Sequence, residues 1–154
     1  MEICGLMNER HIIFDLDPGE KEDVLKNFVK VLDQRGVIAH PEPVLREILK
    51  REELGSTGLE RGIAVPHALT DNLEKPFLAL AVIREGMDFE SVDQLPTHVL
   101  LLLLGSRDSP GTQLKILAHI CRLVKETELV ERIRQCSTPR EICDVIGEEE
   151  RKII

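Results

Sequence analysis

Two uninterrupted apolar runs, Phe77 to Ile83 and Val99 to Leu104, constrain this chain more than any other feature. A strand with one face in water alternates apolar and polar residues, and neither run does. Short segments that are apolar throughout fit strands covered on both faces, as in a sheet with helices on either side. They are far below the roughly 20 residues that a bilayer-spanning helix needs. The flanking segments are helical in pattern. Positions 18–34 carry Val24, Phe28, Val31 and Leu32 at helical spacing and stop at Gly36. Positions 41–54 repeat the pattern with Val44, Ile48 and Leu49, and Pro43 falls in the first turn. After a loop rich in Gly, Ser, Asp and Pro, a helix is expected over 112–125 with Leu114, Leu117, Cys121 and Val124 on one side. Two shorter helices follow over 129–134 and 139–146, the second capped by Thr138 with Pro139 and Glu141 behind it. His11 to Leu16 reads as a short strand or extended lead-in, and Ile63 to Val65 as a strand cut by Pro66. This order predicts a single α/β domain, a central mixed β-sheet flanked by helices. The expected boundaries are a lead-in over 1–10, the domain over 11–147 and a frayed tail over 148–154.

Charge and aromatic content narrow the function. The 154 residues include 28 acids and 20 bases, for a formal charge of −8. Nucleic-acid phosphates want a basic face, so DNA and RNA are poor partners. With no Trp, no Tyr and four Phe, there is no stacking platform for bases or sugar rings either. An acidic surface favours a protein partner with a basic docking rim. Cys4, Cys121, Cys136 and Cys143 form no Cys-x-x-Cys pair and no zinc pattern, which points to reduced thiols and the cytoplasm. The spacing of Cys136 and Cys143, two helical turns, reads as helix packing. No signal-peptide core occurs near the start, and no direct membrane insertion is expected.

The chemistry concentrates in the segment from Gly55 to Ala68. Pro66 ends the ladder of the short strand, so His67 is expected on a turn just past a strand end, where loops present functional groups. Ser56 and Thr57 supply hydroxyls and backbone N–H groups in a glycine-flanked turn able to cradle an anion. Arg51 lies about one helical turn upstream. A neutral imidazole is nucleophilic near neutral pH, and Arg and hydroxyl donors suit phosphoryl oxygens. These are the parts of a phosphoryl carrier, although a single histidine beside a strand is more often structural. His11 and His40 are expected to be solvated, His98 to open the Leu-rich strand, and His119 to be packed or exposed. Arg61 reads as a solvated loop residue, and Asp108 either orients a ring or forms a turn.

The residues Arg51-Glu52-Glu53, Ser56-Thr57 and Gly62-Ile63-Ala64-Val65-Pro66-His67, followed by the block from Gly86 to Leu104, resemble the type 2 enzyme IIA family of the bacterial phosphoenolpyruvate-dependent phosphotransferase system. This is the fructose- and mannitol-type IIA, which includes the nitrogen-regulatory IIA proteins. The likeness covers about His11 to Ile146. It implies that His67 accepts a phosphoryl group from the histidine-containing phosphocarrier protein, that Arg51 contacts that group, and that Ser56 and Thr57 shape the pocket. It implies a phosphotransferase component with no metal or cofactor, whose recipient is a IIB domain.

One position departs from the family pattern. Active members usually carry a second histidine at the start of the helix after the long apolar strand, and the matching residue here is Gln113. His119, six residues on, is rotated about 240° from Gln113 around the helix and does not replace the missing ring. A glutamine amide still donates to a phosphoryl oxygen but never becomes a cation. With no IIB-like or IIC-like segment in these residues, the alternative reading is a regulatory module that binds a target protein, with or without phosphoryl transfer.

Overall fold

The computed structural model describes residues 2–153; Met1 and Ile154, which belong to the expected lead-in and tail, lie outside the described residues. The two apolar runs form the long central strands. They are β4 (Phe77–Met87) and β5 (Thr97–Ser106), paired antiparallel. β1 (Ile12–Ile13) joins β4 in parallel, and β2 (Ile63–Ala64) and β3 (His67–Thr70) both join β5 in parallel. The sheet is therefore mixed, with five strands.

Both faces are covered, as the absence of alternation requires. α1 (Lys21–Gln34) and α2 (Pro41–Glu53) cover one face, where Phe28, Ile48, Leu100 and Leu102 share a core. α3 (Pro110–Glu126), α4 (Leu129–Gln135) and α5 (Pro139–Ile153) cover the other, where Leu101, Leu103, Ile120 and Ile142 meet. No helix among the described residues is long and apolar enough to cross a membrane. The expected cap of α5 forms, with Thr138 Oγ1 accepting the Glu141 N–H at 3.2 Å.

Four expectations need correction. His67 does not sit on a turn but opens β3. Pro66 lacks an N–H, yet its carbonyl still accepts from Leu103 N at 3.0 Å, so pairing with β5 resumes at once. The buried stripe of α3 is rotated about one residue from the expected one: Gln113, Ile116, Ile120, Leu123 and Val124 face inward, while Leu114 is 70% exposed. The stretch expected to fray is the end of α5, where Glu149 and Glu150 are 0% and 1% exposed. Their carboxylates are buried with partners: Glu149 with Arg132 and Lys152, and Glu150 with the backbone of Ile3 and Cys4 and with His119. Finally, Cys136 ends α4 and Cys143 lies in α5, so the two do not share a helix; all four cysteines are free.

Candidate functional site

β3 is placed by β5, and the register decides which way His67 points. His67 pairs with Leu103 and Leu69 with Gly105, and residues in register on parallel strands share a face. Leu103 belongs to the α3 side of the core, so His67 faces that side. Its neighbour Ala68 packs on the α1–α2 side. The ring is half-buried. Its Nδ1 lies 2.8 Å from the Val65 carbonyl, which can only accept, so Nδ1 carries the hydrogen. The neutral ring then keeps the lone pair on Nε2. Burial pushes the imidazole pKa below its ordinary 6.5, and the Arg51 charge acts in the same direction; the Val65 carbonyl and Glu52 oppose them. At neutral pH the His67 ring is uncharged and its tautomer is fixed.

A shallow cleft of about 240 Å³ contains His67 together with Glu47, Lys50, Arg51, Leu54 and Arg107. Arg51 arrives from the last turn of α2 and donates Nη1–H to the Gly55 carbonyl at 2.9 Å, leaving its other donors unspent. Arg107 follows β5 and is held by Asp71 at 3.1 Å and Glu47 at 3.3 Å. Leu54, 83% exposed, stands at the rim. Three cations therefore line the same cleft as His67. Arg107, Lys50 and Glu47 were invisible as site residues in the sequence, because three separate segments bring the cleft together.

Gln113 comes from the first turn of α3. Its side chain lies on Gly105, where any Cβ would collide with it. Since Gly105 is two residues along β5 from the partner of His67, Gln113 lies on the same face of the sheet as His67, although it is not among the residues that line the cleft. It is 7% exposed, and its buried Oε1 has no hydrogen-bond partner among the described residues. An unpaired buried carbonyl is costly, so this is a polar position that the core packing alone does not explain.

Ser56 and Thr57 do not line the cleft. Ser56 Oγ donates to the Phe89 carbonyl at 2.6 Å, and Thr57 Oγ1 donates to Glu52. Glu52 is the hub of this turn: its side chain is 5% exposed and also takes Lys21 Nζ at 3.0 Å. The Thr57 carbonyl accepts Val65 N–H at 3.0 Å, which ties the turn to the residue that holds His67. Arg61 is not a free loop cation, because its guanidinium donates to the carbonyls of Val124 and Thr127 at the end of α3. Asp108 sits in the turn before α3, its N–H on Ser106 Oγ. His11 is half-buried, with Nδ1 at 2.8 Å from the Leu78 carbonyl, whereas His40 is exposed. Among the described residues, no three His, Cys, Asp or Glu side chains converge as a metal site would require.

Comparison with known proteins agrees with this picture. Residues 5–149 match the family described as phosphoenolpyruvate-dependent sugar phosphotransferase system, EIIA 2. A nitrogen regulatory protein of Bradyrhizobium diazoefficiens is 34% identical over 96% of this chain and 95% of its own length. A fructose-specific EIIABC component of Bacillus subtilis is 29% identical over 98% of this chain, which spans only 24% of that longer protein. In fold, the crystal structure of a nitrogen regulatory protein IIA-Ntr from Neisseria meningitidis superposes with a TM-score of 0.83 at 24% identity, covering 94% of this chain and 98% of that one. The IIA half of an Escherichia coli complex with phosphorylated enzyme IIB for mannitol gives a TM-score of 0.75 at 17% identity, covering 92% and 97%.

Proposed function

This chain belongs to the EIIA 2 family of the phosphoenolpyruvate-dependent sugar phosphotransferase system, and on that premise we propose that His67 is its phosphoryl acceptor. The donor is the phosphohistidine of the histidine-containing phosphocarrier protein. The observation that carries the reading is the Val65 clamp on Nδ1, which leaves Nε2 unprotonated in a ring that lines the cleft. Nε2 attacks phosphorus and forms the new N–P bond. The donor's P–N bond breaks, and its electron pair returns to the donor ring. Positive charge that develops on the His67 ring is stabilised at Nδ1–H by the Val65 carbonyl.

Phosphoryl transfer needs positioning and charge stabilisation more than covalent chemistry from the protein. Arg51 supplies both, with Lys50 and Arg107 on the same rim. Gln113 contributes amide donors without charge. Ser56 and Thr57 act one step back, as positioning residues that fix the turn through Glu52 and Val65. The phosphoryl group then passes to a IIB domain or stays as a signal. The uncharged Gln113 and the 34% identity to a nitrogen regulatory protein favour the signalling use, in which a dianion at an exposed cleft changes which protein binds. Both uses belong to the cytoplasm, where the donor is made.

The test is to incubate the full chain with phosphoenolpyruvate, enzyme I and the phosphocarrier protein and to weigh it intact. One acid-labile phosphoryl group is expected, absent in His67→Ala. A gain that persists in His67→Ala removes the site assignment, and no gain on the wild type removes phosphoryl transfer itself.

A further inference from the structure

α1 begins with a cation where helix electrostatics favour an acid. The backbone N–H groups at a helix start carry partial positive charge, which Glu22 and Asp23 suit and Lys21 opposes. The ammonium of Lys21 is spent elsewhere. Its Nζ meets Glu52 Oε2 at 3.0 Å and Ser56 Oγ at 3.4 Å, and it stands 4.6 Å from the centre of the buried Phe89 ring. The Lys21 side chain is 17% exposed. Glu90, at 3.6 Å from the ammonium, is largely in solvent and adds little.

This ion pair is the far end of a series of contacts that finishes at His67. Glu52 Oε2 accepts from Lys21 and, at 3.3 Å, from the Thr57 N–H, while Glu52 Oε1 accepts the Thr57 hydroxyl. Thr57 is buried, so these two donors depend on Glu52. The Thr57 carbonyl accepts the Val65 N–H at 3.0 Å, and the Val65 carbonyl accepts His67 Nδ1–H at 2.8 Å. Gly58 bridges Ala64, and Leu59 N–H reaches the Ile63 carbonyl at 2.9 Å. Residues 57–65 therefore form a closed loop whose base is the Thr57–Val65 bond. Glu52 holds one leg of that base, and the other leg holds the ring.

A buried carboxylate keeps its charge and its place only when it is paired. Without Lys21, Glu52 either takes up a proton or turns toward solvent, and either change weakens its hold on Thr57. The base of the loop then loosens, and the Val65 carbonyl with it.

We propose that Lys21 and Glu52 are positioning residues for His67, holding the Val65 carbonyl where it fixes the Nδ1–H tautomer and keeps the lone pair on Nε2. The consequence for transfer rests on His67 as the phosphoryl acceptor; the tautomer does not. A merely structural ion pair would stabilise the packing of α1 on α2 and leave the ring as it is. The full chain, labelled with nitrogen-15 histidine, is followed by NMR at about pH 8 for the ratio of Nδ1–H to Nε2–H rings at position 67. Phosphoryl uptake is measured on the same proteins. Lys21→Met is expected to lower the tautomer ratio about fivefold, the worth of one ordinary hydrogen bond. It should also slow uptake at saturating phosphocarrier about fivefold, with the half-saturating concentration unchanged, because the ring is displaced rather than the docking surface. Lys21→Arg keeps the charge and is expected to recover most of both, and Glu90→Gln is expected to change neither. Thr57→Val breaks the same series without stranding a charge and is expected to lower the ratio likewise, so it decides the matter if Lys21→Met does not fold. An unchanged ratio in folded Lys21→Met or in Thr57→Val would overturn the proposal, as would slower uptake at an unchanged ratio. If the wild type takes up no phosphoryl group, the acceptor reading fails, and the tautomer ratios still decide the role of Lys21 and Glu52.

Discussion

His67 and His119 are the same side chain in opposite settings. His67 has a carbonyl on one nitrogen and lines an open cleft together with Lys50, Arg51 and Arg107. His119 has its Nε2 at 2.7 Å from Glu150 Oε2, a carboxylate 1% exposed that also takes the N–H groups of Ile3 at 2.6 Å and Cys4 at 3.0 Å. A carbonyl fixes a tautomer and asks nothing more. A buried carboxylate needs its donors, because an unpaired charge in the interior is severely penalised. The partner therefore decides the role: the first histidine keeps a free lone pair, which suits the proposed phosphoryl acceptor, and the second is committed to joining α3, α5 and the N-terminal turn.

Exchanging each ring for an amide tests this division with the largest expected effect. His67→Gln should reduce phosphoryl uptake by at least about a thousandfold, since the nucleophile itself is gone. His119→Gln retains a donor to Glu150 and should change the uptake rate no more than about twofold. Quenched-flow mass measurement decides it; a large loss in His119→Gln would mean that the two histidines are not functionally separate.

Removing the other side of the second pair should act on stability alone. Glu150→Ala leaves the N–H groups of Ile3 and Cys4 and the His119 ring without their acceptor, at a cost of about 2–3 kcal/mol. Urea unfolding measures it. Uptake per folded molecule should be unchanged, and a parallel fall in uptake would join the two regions into one unit. Gly105→Ala should cost about 1–3 kcal/mol, because its Cβ displaces Gln113. On the proposed role of Gln113 as an amide donor, it should also lower uptake, because that side chain is displaced.

The pH dependence separates the rings more gently. Burial, then Arg51, hold the folded pKa of His67 below 6.5. Uptake should stay level from pH 8 down through 6.5 and fall only below that lowered value. The linkage has a matching sign. Below about pH 6.5 the unfolded chain binds a proton that folded His67 refuses, so stability declines as pH falls and levels off once the folded ring also protonates. In His67→Gln that slope should vanish. A His67 ring titration by NMR with a midpoint above 6.5 would contradict the burial argument.

Local pattern made α1, α2 and the two long strands legible, because helical spacing and unbroken apolar runs are properties of short segments. The Thr138 cap was legible for the same reason. The tail was not: Glu149 and Glu150 look like solvent residues until Arg132 pairs with Glu149 Oε1, and Ile3, Cys4 and His119 arrive from distant positions to meet Glu150. β3 was hidden by Pro66, which breaks a donor series but leaves its acceptor in place. At the site, Arg51 and His67 could be read together from their motif, whereas Arg107 and Glu47 enter only through folding. Ser56 and Thr57 suggested a cradle by residue type, but in the structure Glu52 and the Phe89 carbonyl claim their hydroxyls.

The smallest and most informative change is Gln113→His. The position is set against Gly105, so a ring placed there lies on the same face of the sheet as His67, in the first turn of α3. The buried Gln113 Oε1 has no partner, so nothing specific is lost when the amide goes. What is gained is a group that can carry a positive charge when a dianion arrives. Phosphoryl uptake should therefore quicken, by no more than about tenfold, because Arg51 already supplies the principal cation and one added charge-assisted contact is worth about 1.4 kcal/mol or less at a half-open site. Hydrolysis of the phosphohistidine, followed by intact mass over time, should change in the same experiment if Gln113 touches the bound group. An unchanged rate of uptake together with an unchanged lifetime would place Gln113 outside the phosphoryl shell and leave the cations of the cleft to hold it alone.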